Sequence, residues 1–177
     1  YECPPRPYHN LRHIGECLAL LKESESLADH ADQVAFAIWL HDCIYDARRA
    51  DNEERSAAVA TEFMKALGLS EGTQERAGRL ILATRHKATP VDRDESLLID
   101  IDLAILGAPP ARYAEYAAAI RFEYAHVADA DYTKGRSEFL VAFLSRPHLY
   151  YTAELRARLD RSARTNLQRE LNSLQSV

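Results

Sequence analysis

The chain has 177 residues, 47% hydrophobic and 28% charged, the proportions of an ordinary globular protein with length enough to bury a core. Its formal net charge of -5 speaks against a partner such as duplex nucleic acid, whose binders usually carry a basic surface. No apolar run approaches the roughly 20 residues of a membrane span and no signal peptide is visible, so a cytoplasmic protein is expected.

Helical period and helical punctuation recur along the chain. Leu11 to Leu21 places Leu11, Ile14, Leu18 and Leu21 on one face. Asp32 to Tyr45 is apolar almost all round and reads as a central buried helix. Asn52 to Leu67 starts at an Asp51/Asn52 cap candidate and stops at Gly68, a usual residue just past a helix end. A fourth helix runs from Ser70 or Thr73 to His86, before the break at Pro90. Asp92 or Asp94 can cap a fifth, which carries Leu97, Leu98, Ile101, Leu103 and Leu106 and ends at Gly107. Pro109-Pro110 opens a sixth, continuing through Tyr113, Tyr116, Ile120 and Tyr124. Gly135 to Ser145 and Thr152 to about Leu174 complete the set. No alternating strand pattern of useful length, repeat or low-complexity tract interrupts them. The expectation is an all-α single domain over residues 1–177, a bundle of seven or eight helices. The sequence opens on Tyr1 rather than a methionine, which is compatible with a missing leading piece.

The chemistry concentrates in a few side chains. His41-Asp42 closes the apolar run Val34-Ala-Phe-Ala-Ile-Trp-Leu, where an imidazole and a carboxylate are costly unless something ionic or hydrogen-bonding satisfies them. A divalent cation would satisfy both. Neighbouring helical side chains diverge by about 100°, so further ligands from other helices are needed. His9 and His13 lie four apart and share a face if their helix already runs from about His9. Asp100 and Asp102 sit in the apolar stretch Leu97–Leu106 and point about 200° apart on a helix, so one of them faces the site. His86 is a candidate further metal ligand or substrate hydrogen-bonder, or a histidine favoured by a helix C-terminus. Asp46 and Glu53 follow the His-Asp pair and are candidates for activating water or for supporting the ligands. Asp46 can equally cap the next helix, and acids such as Glu53 and Glu54 suit a first turn in any case. Arg12 and Arg136 carry forked donors suited to phosphate, although Arg12 also reads as a surface helix residue. Cys3, Cys17 and Cys43 show neither paired nor zinc-ribbon spacing and read as reduced thiols, Cys43 as a small apolar filler.

The order His13, His41-Asp42, Asp102 resembles the H…HD…D signature of the HD superfamily of metal-dependent phosphohydrolases, whose fold is an all-helical bundle. Tyr8-His9-Asn10-x-x-His13 is also similar to the YHNxxH segment of the cyclic-nucleotide phosphodiesterases, distant relatives in that superfamily. There the first histidine protonates the leaving group and the second binds metal. The whole chain resembles more closely an uncharacterised bacterial group of predicted HD-superfamily metal-dependent phosphohydrolases. The marks are the Tyr-His-Asn-Leu-x-His opening, His41-Asp-x-x-Tyr-Asp46, Asn52-Glu-Glu-Arg-Ser-Ala57, Asp102-Leu-Ala-Ile-Leu-Gly107, Gly135-Arg136 and Ala163-Arg-x-Asn-Leu167. The chain departs from the multi-histidine subgroups, because after His41-Asp42 only His86 offers a candidate extra imidazole, which leaves a second metal site in doubt.

The resemblance implies His13, His41, Asp42 and Asp102 as metal ligands, with Asp102 preferred to Asp100, and His9 as the general acid. The implied reaction is hydrolysis of a small phosphorylated metabolite, a nucleotide or related phosphoester, by a metal-activated water. Mixed nitrogen and oxygen ligands suit Mn²⁺, Fe, Co²⁺, Ni²⁺ or Zn²⁺ better than Mg²⁺. The rival readings are a nonhydrolytic metal- and nucleotide-binding module of the same fold and, ranked below it, a two-iron oxygenase, which needs more histidines. A monomer is expected, or a homodimer through the long final helix.

Overall fold

In the computed structural model, which describes Tyr1 and residues 6–175, every regular element is helical. Eight α-helices and two 3₁₀ turns account for it, and no strand occurs among the described residues. None of these helices is long and apolar enough to cross a membrane. The chain divides into two compact units, Tyr1–Asp102 and Leu103–Val177.

The first unit holds five helices. α1 (Leu11–Glu23) starts at Asn10, whose side chain accepts from the Arg12 and His13 amides, and it buries His13, Ile14, Cys17 and Leu21 along one face. The helix therefore starts after His9, and the shared-face placement of His9 with His13 does not hold. A 3₁₀ turn at Glu25–Leu27 leads to α2 (Ala31–Leu40), which packs on α1, on α3 (Asn52–Ala66), on α4 (Glu71–Ala83) and on α5 (Arg93–Asp102). The central position expected of α2 is found, with Val34, Ala37 and Ile38 fully buried. Its all-round burial is not, since Trp39 stands 48% exposed. The helix also stops at Leu40, five residues before Tyr45, because His41 is its C-cap and the Cys43 amide turns back onto the Leu40 carbonyl. α3 and α4 form the tightest helix pair of the unit, joined by Gly68 at φ 71°. Ser70 caps α4 by accepting from the Thr73 amide. Of the two cap candidates for α5, Asp92 serves, its Oδ1 accepting from the Glu95 amide at 2.9 Å. Asp94 instead accepts from the amides of Asp29 and His30 and ties α5 to the start of α2.

The second unit opens with a 3₁₀ turn, Leu103–Gly107, so the fifth helix ends at Asp102 rather than at Gly107. α6 (Pro110–Glu123), α7 (Asp129–Leu144) and α8 (Ala153–Gln175) follow. α7 begins six residues before the expected Gly135: its first turn is acidic, which the helix dipole favours but apolar periodicity does not register. Gly107 is required by proximity, because a Cβ there would lie 2.8 Å from Leu159 Cβ and 3.1 Å from its carbonyl oxygen. Asn166 of α8 fastens the same turn by donating to the Leu106 and Ala108 carbonyls, both at 2.9 Å.

Candidate metal centre

Three elements of the first unit bring one side chain each to a common point. His13 comes from the first turns of α1, His41 caps α2, and Asp102 ends α5. Both imidazoles are buried, with their Nε2 atoms 3.3 Å apart. Asp102 Oδ1 lies 3.2 Å from His13 Nε2 and 3.5 Å from His41 Nε2. These three ligand atoms fall within 4.8 Å of one another. Asp42 joins from the turn after α2, its Oδ2 3.0 Å from His41 Nε2 and 3.8 Å from His13 Nε2. His41 keeps helical backbone angles (φ -59°, ψ -34°), and Asp42 meets it at a point beside the helix end, where His13 and Asp102 arrive from α1 and α5.

The donor set fits a divalent cation. His41 Nδ1 lies 2.9 Å from the Ile38 carbonyl oxygen. A carbonyl only accepts, so that nitrogen carries the hydrogen, and in the neutral ring Nε2 is left with its lone pair toward the cluster. Asp42 Oδ2 is buried with no hydrogen-bond partner among the described residues, although an imidazole nitrogen lies 3.0 Å away. Bonds of about 2.0–2.2 Å to a single ion would separate adjacent nitrogen and oxygen ligands by roughly 3.0–3.5 Å. Four of the five separations lie in that interval, and the His13–Asp42 separation exceeds it.

The electrostatics point the same way. Burial by itself pushes the His41 imidazole down, yet the charge of Asp42 and the close carboxylates of Asp102 and Asp42 raise it well above its ordinary value. Burial likewise opposes ionisation of Asp102, but His13, His41 and His86 hold its carboxyl well below the usual range. Asp42 is lowered too, against burial, by His41, His9 and His13. The cluster attracts positive charge into a buried place, where a proton or a metal ion can supply it.

Of the other expected site residues, His9 stands beside the cluster. Its ring stacks on Tyr45 at 4.0 Å and meets His13 edge-on at 6.2 Å between centroids. His86 Nε2 contacts Asp102 Oδ2 at 3.0 Å. Asp46 is exposed and is engaged in the turn before α3, its carboxylate accepting from the Arg48 amide and its carbonyl from the Asn52 side chain. Glu53 is half-buried in the first turn of α3. Arg12 is exposed and paired with Glu16 at 3.1 Å. Arg136 belongs to the second unit, where Glu170 takes its guanidinium in a two-pronged grip at 2.7 and 3.0 Å. Asp100 is fully buried and is not the aspartate that joins the two imidazoles.

Two participants escaped the sequence reading. Cys17 lies one turn after His13, its sulfur 3.6 Å from His13 Nδ1; burial, then Asp102 and Asp42, push its thiol pKa up, so it stays protonated. Its spacing of four from His13 was the available signal. Arg6 donates to the Asp42 carbonyl at 2.8 Å and so braces the turn that carries that ligand. It precedes any periodic segment, and no pattern could have revealed it.

No protein-family model matches the chain, and no curated protein or solved structure matches it either.

Proposed function

We propose that the protein is a metal-dependent phosphohydrolase acting on a small phosphorylated metabolite, a nucleotide or a related phosphoester. The observation that carries the reading is the meeting of His13, His41 and Asp102 in a buried cluster, with Asp42 at its side. It is supported by the resemblance of these residues, in this order, to the HD-superfamily signature. Held there, a divalent cation supplies Lewis acidity toward a phosphoryl oxygen and makes water a better nucleophile near neutral pH. The chain's own residues do the rest. His41, its Nδ1 hydrogen committed to the Ile38 carbonyl, presents a fixed lone pair. Asp42 and Asp102 bring negative charge that offsets that of the cation. His9, stacked on Tyr45 beside the cluster, is our candidate to give a proton to the departing oxygen.

The test is metal analysis of the purified full chain, followed by a panel of phosphomonoesters, nucleotides and sugar phosphates. Metal-dependent turnover is expected, with loss of both metal and activity in His41→Ala. A folded, metal-loaded protein inert across the panel would overturn the reading. Glu16 and Glu170 already engage the two arginines named for phosphate, so neither is given a substrate role. Tight retention of a nucleotide without product would select a nonhydrolytic binding module instead.

A further inference from the structure

We propose that His86 is a positioning residue that grips the outer oxygen of Asp102 and so aims the inner one at the cation site. The inference rests on the metal reading of the cluster, though not on hydrolysis.

Two of the described residues have positive φ, Gly68 at 71° and His86 at 55°. Both follow the end of a helix. After α3 the usual solution is found: Gly68 takes the left-handed conformation, the Gly68 amide donates to the Lys65 carbonyl, and the Leu69 amide donates to the Met64 carbonyl. After α4 the last turn tightens through three successive short-range bonds, from the Thr84, Arg85 and His86 amides to the Ile81, Leu82 and Ala83 carbonyls. The left-handed place then falls on a residue whose Cβ makes it unfavourable. Glycine would fit that backbone better, but it could not reach Asp102.

What the histidine reaches explains its place. His86 Nε2 lies 3.0 Å from Asp102 Oδ2, while Asp102 Oδ1 faces His13 Nε2 at 3.2 Å and His41 Nε2 at 3.5 Å. The two carboxylate oxygens are thus divided between one imidazole on one side and two on the other. A carboxylate on the last residue of a helix also sits at the negative end of its dipole, where a donor from outside is most needed. Hydrogen-bonding partners of ligating carboxylates act in this way, fixing ligand direction without touching the ion.

The experiment is a cobalt(II) titration of the full metal-free chain, following affinity and stoichiometry by absorbance, together with melting of the metal-free protein. His86→Gly is expected to bind cobalt about 10–100-fold more weakly, with the number of ions unchanged. In its metal-free form the relief of the left-handed backbone and the loss of the contact with Asp102 oppose each other, so its melting serves to show that the variant is folded. His86→Asn tolerates the left-handed backbone but is too short to reach Asp102, so it should show the same loss of affinity. His86→Gln, whose amide nitrogen extends about as far as the imidazole Nε2, should recover part of it. Equal affinity in parent and His86→Gly would overturn the inference. So would the loss of one bound ion, which would make His86 a ligand itself. A parent that binds no cobalt sinks the metal reading and this inference with it, whereas binding without turnover sinks only the hydrolase.

Discussion

Each unit of the molecule buries a charged cluster, and the two differ in what supplies the positive charge. In the second, the Arg136 guanidinium is gripped by both oxygens of Glu170, contacts the Tyr116 hydroxyl at 3.3 Å and lies over the Phe139 ring at 4.9 Å. Tyr113 donates to the same carboxylate. That cation is permanent and the network closes on itself. In the first, two carboxylates face two imidazoles whose positive charge depends on a proton, and Asp42 Oδ2 has no hydrogen-bond partner among the described residues. A buried polar cluster complete in itself reads as architecture; one whose charge is conditional reads as a place for a ligand.

The largest expected effects separate the two directly. Arg136→Met leaves the Glu170 carboxylate without its main partner and should destabilise the fold by about 3–5 kcal/mol, measured by denaturant unfolding. Replacing both, as Arg136→Met with Glu170→Leu, should recover most of that, because the network serves nothing beyond itself. A double variant as unstable as the single would break the comparison. In the first unit, a cation at a thousand times its dissociation constant should stabilise the parent by about 4 kcal/mol. His41→Ala should abolish that gain, while the Arg136/Glu170 double variant should keep it in full. Equal metal-induced shifts in parent and His41→Ala would remove the metal centre.

A smaller effect sharpens the same contrast. Gly107→Ala drives a Cβ against the Leu159 backbone and should cost about 1–3 kcal/mol. Gly135→Ala, with nothing within 4 Å of the added atom, should instead stabilise α7 by about 0.5–1 kcal/mol. Neither should move cobalt affinity. A change in affinity from either would show that the second unit's packing bears on the cluster.

What could be read in advance follows from what is local. The helices were visible because their apolar faces repeat, as in Ile14, Leu18 and Leu21, and the His-Asp pair because it breaks an apolar run. Asp102 over Asp100 came from resemblance, since period alone leaves both open. Helix ends were less visible. That α2 stops at Leu40 is announced by no glycine or proline, since His41-Asp42-Cys43 follow directly. Arg136 has its forked donors on display in the sequence, but Glu170 lies 34 residues further on and no local pattern joins them. His86 is conspicuous in the sequence as a histidine near a helix end, yet its positive φ and its hold on Asp102 exist only once α4 and α5 are packed.

The smallest expected effect is one in which the units should behave alike. Asp92 in the first and Asp160 in the second are each held below the ordinary value of 3.8. Burial opposes this in both, but a backbone amide (of Glu95 or Leu149) and an arginine (Arg79 or Arg164) outweigh it. A depressed folded-state pKa means that the carboxylate contributes stability above the unfolded value, and that the contribution is lost as pH falls through the lower folded one. Both groups are half-buried and remain in contact with solvent, so each is worth about 1 kcal/mol or less after screening. Asn retains a side-chain oxygen to accept the amide but lacks the charge, so Asp92→Asn and Asp160→Asn isolate the ionic part. Each should cost a few tenths of a kcal/mol or more near neutrality, and the deficit should shrink toward zero as the medium is acidified below 3.8. A deficit that persists unchanged in acid would assign the effect to hydrogen-bond geometry rather than charge. A deficit in only one unit would show that the even treatment of these half-buried carboxylates fails, leaving the buried clusters as one difference among several.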